Sequence, residues 1–318
     1  MQKTIKQHYI PRFYMKNFYI KNTKNFDILD KSNYHTLISK SKNENSKNLF
    51  YVENLYENCN ENVNYIETQL LANDYEDVMK KELENVINKI RNRNILNIDD
   101  KTFLRILFLQ ISCRNPYGVK AIEEKFNDVN NRETFFKYLF SNDISSQEKR
   151  KMANEMLGHF DIIVFISQKS SFVLSDCFLL KWATYTIKNT KNKEISDLNY
   201  VCIYPLTKDI LICVINNKDE VVKADKLFIE LLPQEVSCIN KLMMCHADRN
   251  CIGDLSRYKS HISNDLNNEK MYDKKVQKIL EKYKIIKRHK RHKQTTLNKS
   301  KQIERRNEGK IIEKVYFW

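Results

Sequence analysis

Glycine and proline are scarce, four of each in 318 residues. That excludes long flexible linkers and Gly/Pro-rich low-complexity segments, and no internal repeat runs through the chain. No apolar stretch approaches the roughly 20 residues that a bilayer-crossing helix needs. The opening Met-Gln-Lys-Thr leads into no apolar leader core, so the expectation is a soluble, cytoplasmic protein with no membrane contact. Eight cysteines (Cys59, Cys113, Cys177, Cys202, Cys213, Cys238, Cys245 and Cys251) sit mostly singly among apolar residues. That pattern fits reduced, buried thiols better than a disulfide framework. The group Cys238, Cys245, His246 and Cys251 lacks the paired spacing of a zinc knuckle. GxGxxG, GxxxxGK[ST] and GxSxG are absent, so the nucleotide cradles and hydrolase elbows built on those motifs have no support.

What is present is enough apolar residue for a sizeable core, 42% of the chain with 11% aromatic, in a length that suits one large domain or two ordinary ones. Positive charge is unevenly spread. From Lys270 onward seventeen Lys and Arg face five Asp and Glu, so this stretch carries +12 of the net +15. The body is nearly neutral and the carboxy-terminal stretch holds the charge. Lys, Asn and Ile crowd the whole chain, as codon drift in an AT-rich genome produces, which is a second source for the basicity.

The amino terminus is unusual in the opposite sense. HYIPRFYMKNF (8–18) packs aromatics, a proline and a histidine where free termini are ordinarily polar, and it reads as a segment that docks. Residues 26–38 read as two short strands around a polar turn. From about residue 50 to 157 the apolar spacing is helical. Asn97–Asp100 caps a helix whose apolar groups, Leu104 to Cys113, cover nearly every direction, so it is buried. Asn115-Pro116 stops it. From about 158 to 255 the period becomes strand-like: an apparent hairpin from FDIIVFI (160–166) to FVL (172–174), two strands around Pro205–Asp209, then a helix from Pro233 to Cys245. The last stretch, 270–318, reads as a basic helix or a partly disordered tail, with an apolar stripe at Met271, Val276, Ile279, Leu280, Tyr283 and Ile286. Helices followed by strands imply an α+β fold: one domain over 1–269, its helical N-terminal half packed with a mainly antiparallel sheet, and then the basic segment.

Within the buried helix, Gln110 and Arg114 share one narrow stripe. A desolvated guanidinium requires an anion and partners for its donors. Asp176, at the end of 172-FVLSD-176, and Glu67 are the internal candidates, and a substrate phosphate or carboxylate is the external one. Glu67 has Asp74 on its own helix face and Glu76 nearly opposite; paired carboxylates of this kind suit Mg²⁺ or Mn²⁺, though acidic residues on a helix are usually its solvated face. Asp176 sits equally well in a turn that uses its side chain on local backbone. His8 is either a packing residue or a general base. In the basic run 284–293, Lys287, Arg288, Lys290 and Arg291 are dense enough for phosphate-backbone contacts.

HYIPRFYMKNF (8–18), LFLQISCRNP (107–116), FVLSD (172–176), IYPLTKDILI (203–212) and VSCIN (236–240) together resemble the domain-of-unknown-function 4238 family of bacterial and phage proteins. Their order and spacing match over roughly residues 5–255. The family usually reads T-S-D-x-P where this chain has Leu174-Ser175-Asp176-Cys177-Phe178. The resemblance implies a shared fold and a shared polar set of His8, Glu67, Gln110, Arg114, Asp176 and Asn240, and no known reaction.

Three functions follow as expectations. The first is a metal-dependent phosphoester hydrolase or nuclease, with Gln110 and Arg114 holding phosphate, Asp176 and Glu67 binding Mg²⁺ or Mn²⁺ or acting as base, His8 handling a proton, and Asn240 and the basic run binding substrate. The second is a non-catalytic binding or sensor protein, as in phage–host conflict, whose polar cluster is structural. The third is recruitment of a protein partner through the apolar stripe of the carboxy-terminal helix.

Overall fold

The computed structural model describes residues 6–20, 23–31, 48–56, 71, 75–140, 146–157, 160–187, 195–216, 227–258 and 266–286, with backbone strands at 35–37, 295–296, 306–307 and 310–311. The chain divides into two units. The first comprises residues 1–13, 50–156 and 299–318, and the second residues 14–49 and 157–298.

The first unit is mainly helical. Strand β1 (Lys6–His8) pairs antiparallel with β4 (Tyr51–Glu53), with His8 opposite Tyr51; this strand replaces the start of the helical stretch expected from residue 50. Helix α2 (Glu76–Arg91) buries Met79, Leu83, Val86, Ile87 and Ile90, a spacing that keeps one face apolar. Glu76 and Asp77 lie in its first turn and Lys89 and Arg91 in the last, complementing the helix dipole. Helix α3 (Ile98–Arg114) opens on a capping box in which the Asn97 side chain accepts from the Asp100 amide at 2.8 Å while Asp100 accepts from the Asn97 amide at 2.9 Å. From Thr102 to Arg114 all but Arg105 are buried, as the all-round apolar composition predicts.

Asn115 then serves two helices. Its amide donates to the Ser112 carbonyl at 2.8 Å, and its oxygen caps α4 (Pro116–Lys125) by accepting from the Gly118 amide at 2.9 Å. A β-carbon on Gly118 would lie 2.1 Å from the Ser112 carbonyl oxygen, so this joint admits only a hydrogen there. Helices α5 (Val129–Phe140) and α6 (Ser146–Leu157) follow. Strands β13 (Arg306–Asn307) and β14 (Lys310–Ile311) form a separate pair.

The second unit begins inside the short helix α1 (Arg12–Met15). Six strands run in the order β10 (Phe228–Glu230), β5 (Phe160–Ile166), β9 (Ile210–Asn216), β8 (Ile195–Pro205), β7 (Leu180–Ile187), β12 (Thr295–Thr296). All neighbours are antiparallel except β10 and β5. A second sheet has the order β3 (His35–Leu37), β2 (Asp27–Asp30), β11 (Asn250–Gly253), β6 (Leu174–Ser175). The two short strands expected over 26–38, β2 and β3, and the β8–β9 hairpin around Pro205–Asp209 are therefore present. The hairpin expected over 160–174 is not: β5 pairs with β9 and β10, and Leu174–Ser175 joins β11 in the other sheet. Both segments have strand character, but their partners lie far along the chain.

Helix α7 (Pro233–His246) and helix α8 (Glu269–Lys282) pack in the core of this unit. Tyr272, Val276, Ile279, Leu280, Ile285 and Ile286 join Trp182, Val236, Ile239 and Met243 in it. The stripe expected to recruit a partner thus faces the interior, with buried Tyr272 on it and Met271 exposed at 40%. Seven of the cysteines are described, and all are free thiols. The architecture is α+β.

Candidate functional site

In the first unit the candidates form one buried cluster around Arg114, which has no exposed surface. Its Nη2 donates to the His8 backbone carbonyl at 2.8 Å, and Nη1 and Nη2 approach Glu76 Oε1 at 3.5 and 3.4 Å. The Tyr75 ring lies 5.8 Å from the guanidinium carbon, within cation–π range. Among the described residues the anion beside Arg114 is Glu76; the expected Glu67 lies outside them. Glu76 is the first residue of α2, 31% exposed, and it lends charge without being fully desolvated.

Gln110 is committed at both ends of its amide. It accepts from the Tyr75 hydroxyl at 2.9 Å and donates to the Leu139 carbonyl at 2.7 Å. Burial pushes the Tyr75 hydroxyl well above its ordinary value, against the opposing pull of Arg114, so it stays a neutral donor. Tyr56 donates its hydroxyl to the Arg114 carbonyl at 3.4 Å, and its amide donates to the Gln7 side chain at 2.8 Å. The rings of Tyr56, Tyr75, Phe136 and Phe140 close around the cluster with centroids 5.1–5.7 Å apart. His8 meets Arg114 through its backbone, while its ring lies 6.1 Å from that of Tyr51. Any residue at position 8 offers the same carbonyl. A cleft of about 370 Å³ opens between α2, α3 and α6, and among the candidates Gln110 lines it.

Asp176 and Asn240 belong to the second unit, where each holds distant segments together. The Asp176 carboxylate accepts from the amides of Asp248, Arg249 and Asn250 at 2.7, 2.6 and 2.8 Å, and its own amide donates to the Asn250 carbonyl at 3.0 Å. Burial raises its carboxyl above the ordinary value; the three amides pull it back and the neighbouring Asp248 adds to the rise. Asn240 accepts from the Val173 amide at 3.1 Å and donates to the Ser171 carbonyl at 2.7 Å and the Tyr258 hydroxyl at 3.0 Å. FVLSD is thereby pinned to VSCIN by Asn240 and to β11 by Asp176. The later half of the opening motif is pinned in the same unit: the Tyr14 hydroxyl donates to the Pro205 carbonyl at 2.5 Å, and the Lys208 amide to the Asn17 carbonyl at 3.1 Å.

Glu67, Asp74, Lys287, Arg288, Lys290 and Arg291 lie outside the described residues. Among the described residues no three His, Cys, Asp or Glu side chains gather as metal ligands do, and no helix is long and apolar enough to cross a membrane.

A family model described as Protein of unknown function (DUF4238) matches residues 6–256. The chain belongs to the DUF4238 family. No curated protein and no solved structure matches it. The match ends between β11 and α8, so the helix that completes the core of the second unit lies beyond the stretch this DUF4238 chain shares with the family model. Sequence reading named Glu76 only as an acid nearly opposite Glu67, not as a partner of Arg114, and missed Tyr75, Tyr56 and the 248–250 amides. Only Glu76 carried a signal, as an acid on the segment leading into α2.

Proposed function

We propose that this DUF4238 chain is a non-catalytic binding protein for nucleic acid, working through its basic carboxy-terminal region, and that its polar set is structural. The observation that carries the reading is the commitment of Arg114: a fully buried guanidinium whose Nη groups engage the His8 carbonyl and Glu76 is tied into the fold and has no exposed surface to offer a phosphate. Gln110, Asp176 and Asn240 are engaged by internal partners in the same way. The +12 of the last 49 residues is then the group with charge to offer a polyanion, and sequence-independent phosphate contact needs no further motif.

The test is fluorescence anisotropy of full-length protein with labelled single- and double-stranded DNA and RNA across a salt series, with parallel incubation in Mg²⁺ or Mn²⁺. Salt-dependent binding without strand cleavage is the expected result, weakened when Lys287, Arg288, Lys290 and Arg291 are changed together to Gln. Cleavage by the wild type, lost in Asp176→Asn at an unchanged melting temperature, overturns the reading and restores the hydrolase with Glu67 as its metal ligand.

A further inference from the structure

Helix α8 packs antiparallel against α7. Glu269 at its start lies 3.4 Å from His246, near the end of α7, and Lys282 at its end lies 2.7 Å from Glu235, near the start of α7. Between these, the Lys241 and Lys275 ammonium groups approach the Tyr272 ring at 5.3 and 5.4 Å, and Asp273 accepts from the Trp182 indole at 2.8 Å and from Gln277 at 2.9 Å. The helix therefore turns two of its three acids toward specific partners. Its outer side carries Lys270, Lys274, Lys275 and Lys278, all exposed. At 100° per residue these fall within an arc of about 140°, and Lys270, Lys274, Lys278 and Lys282 climb it in steps of about 6 Å. Glu281, half-buried, is the acid on that side. Among the described residues no carboxylate lies within ion-pair distance of Lys270, Lys274 or Lys278. Like charges four apart on a helix are mildly destabilising, so a rigid ladder of them fits a polyanion.

The geometry points to the Lys270–Lys274–Lys278 face of α8 as a contact surface for the phosphate backbone of duplex nucleic acid. This rests on the nucleic-acid reading above and adds a rigid, structured surface to it. The ladder from Lys270 to Lys278 spans about 12 Å, a length over which duplex DNA carries about seven phosphates. The exposed face presents no aromatic side chain: Tyr272 is buried, and Tyr283 is half-buried with its hydroxyl donating to Glu235 at 2.9 Å. Single strands bound through base stacking are therefore a poor match, and duplex backbone a good one. An anionic membrane is also a poor match. Surface helices insert an apolar face, and that of α8 is used in the core.

The experiment compares the full-length wild type with a triple variant, Lys270→Gln, Lys274→Gln and Lys278→Gln, and with Lys287, Arg288, Lys290 and Arg291 changed together to Gln. The probes are a 20-base-pair duplex across a salt series and vesicles containing phosphatidylserine. The triple variant is expected to melt as the wild type does. Its slope of log affinity against log salt should drop by about three, and its affinity at 0.1 M salt should fall on the order of a hundredfold. Unchanged slope and affinity in the triple variant, with binding lost in the 287–291 variant, overturns the ladder while leaving nucleic-acid binding intact. A wild type that ignores the duplex overturns both. Vesicle binding that needs the same three lysines, without duplex binding, replaces the surface with a membrane one.

Discussion

The two units bury charges of opposite sign, and they satisfy them differently. Among the described residues, Arg114 in the first unit meets the His8 carbonyl, the partly exposed Glu76 carboxylate and an aromatic wall. Asp176 in the second is held by three successive backbone amides of the turn into β11. A cation with five donors in a fixed fork cannot be saturated by backbone alone, because carbonyls rarely converge; rings and a helix-start acid make up the balance. A carboxylate is saturated readily by a turn, because consecutive amides point into one concavity. The first arrangement depends on packing and the second on local chain geometry.

Removing the Arg114 charge separates the two most sharply. Arg114→Met should cost about 3–5 kcal/mol in urea unfolding, since it frees the His8 carbonyl and leaves Glu76, Tyr75 and the aromatic wall around a side chain of different shape. A cost below 1 kcal/mol would mean that packing, not the ion, carries the first cluster. Asp176→Asn should cost less, about 2–3 kcal/mol, because the asparagine oxygen still accepts from part of the 248–250 turn while its NH₂ faces a donor; equal losses in the two variants would erase the distinction. The smallest effect comes from Glu235. Burial on its own would raise its carboxyl, but bonds from Lys282, the Leu232 amide and Tyr283 hold it below the ordinary 4.5. A depressed carboxyl contributes stability above 4.5 and loses it as pH falls through the lower folded value. Glu235→Gln should therefore flatten the stability curve below pH 4.5 and leave it parallel to wild type above; a curve of unchanged shape would detach Glu235 from the α7–α8 contact.

Local features were legible in the sequence. The cap at Asn97, the stop at Asn115-Pro116, the all-round burial of α3 and the β8–β9 turn each depend on residues within a few positions of one another. A buried Arg114 requires an anion, and Glu76 supplies one among the described residues; the sequence could not single it out, because that depends on where α2 begins. The roles of Asp176 and Asn240 were hidden because their partners lie about 70 residues away. The same holds for 160–174, where two runs of strand character enter different sheets. In the last helix the amphipathic stripe was visible, yet only the packing showed that it faces inward and that the lysines face out.

The contact between Arg114 and the His8 carbonyl joins positions 106 residues apart. His8 leaves the ribosome first. At roughly 5–20 residues per second the guanidinium follows it by about 5–20 s, with a segment of the second unit made in between. Strand β1 must wait through that interval with its carbonyl open to any other donor. Time, as much as contact energy, is therefore a quantity this fold has to manage, and the crowded, aromatic opening segment is the part of the chain that does the waiting.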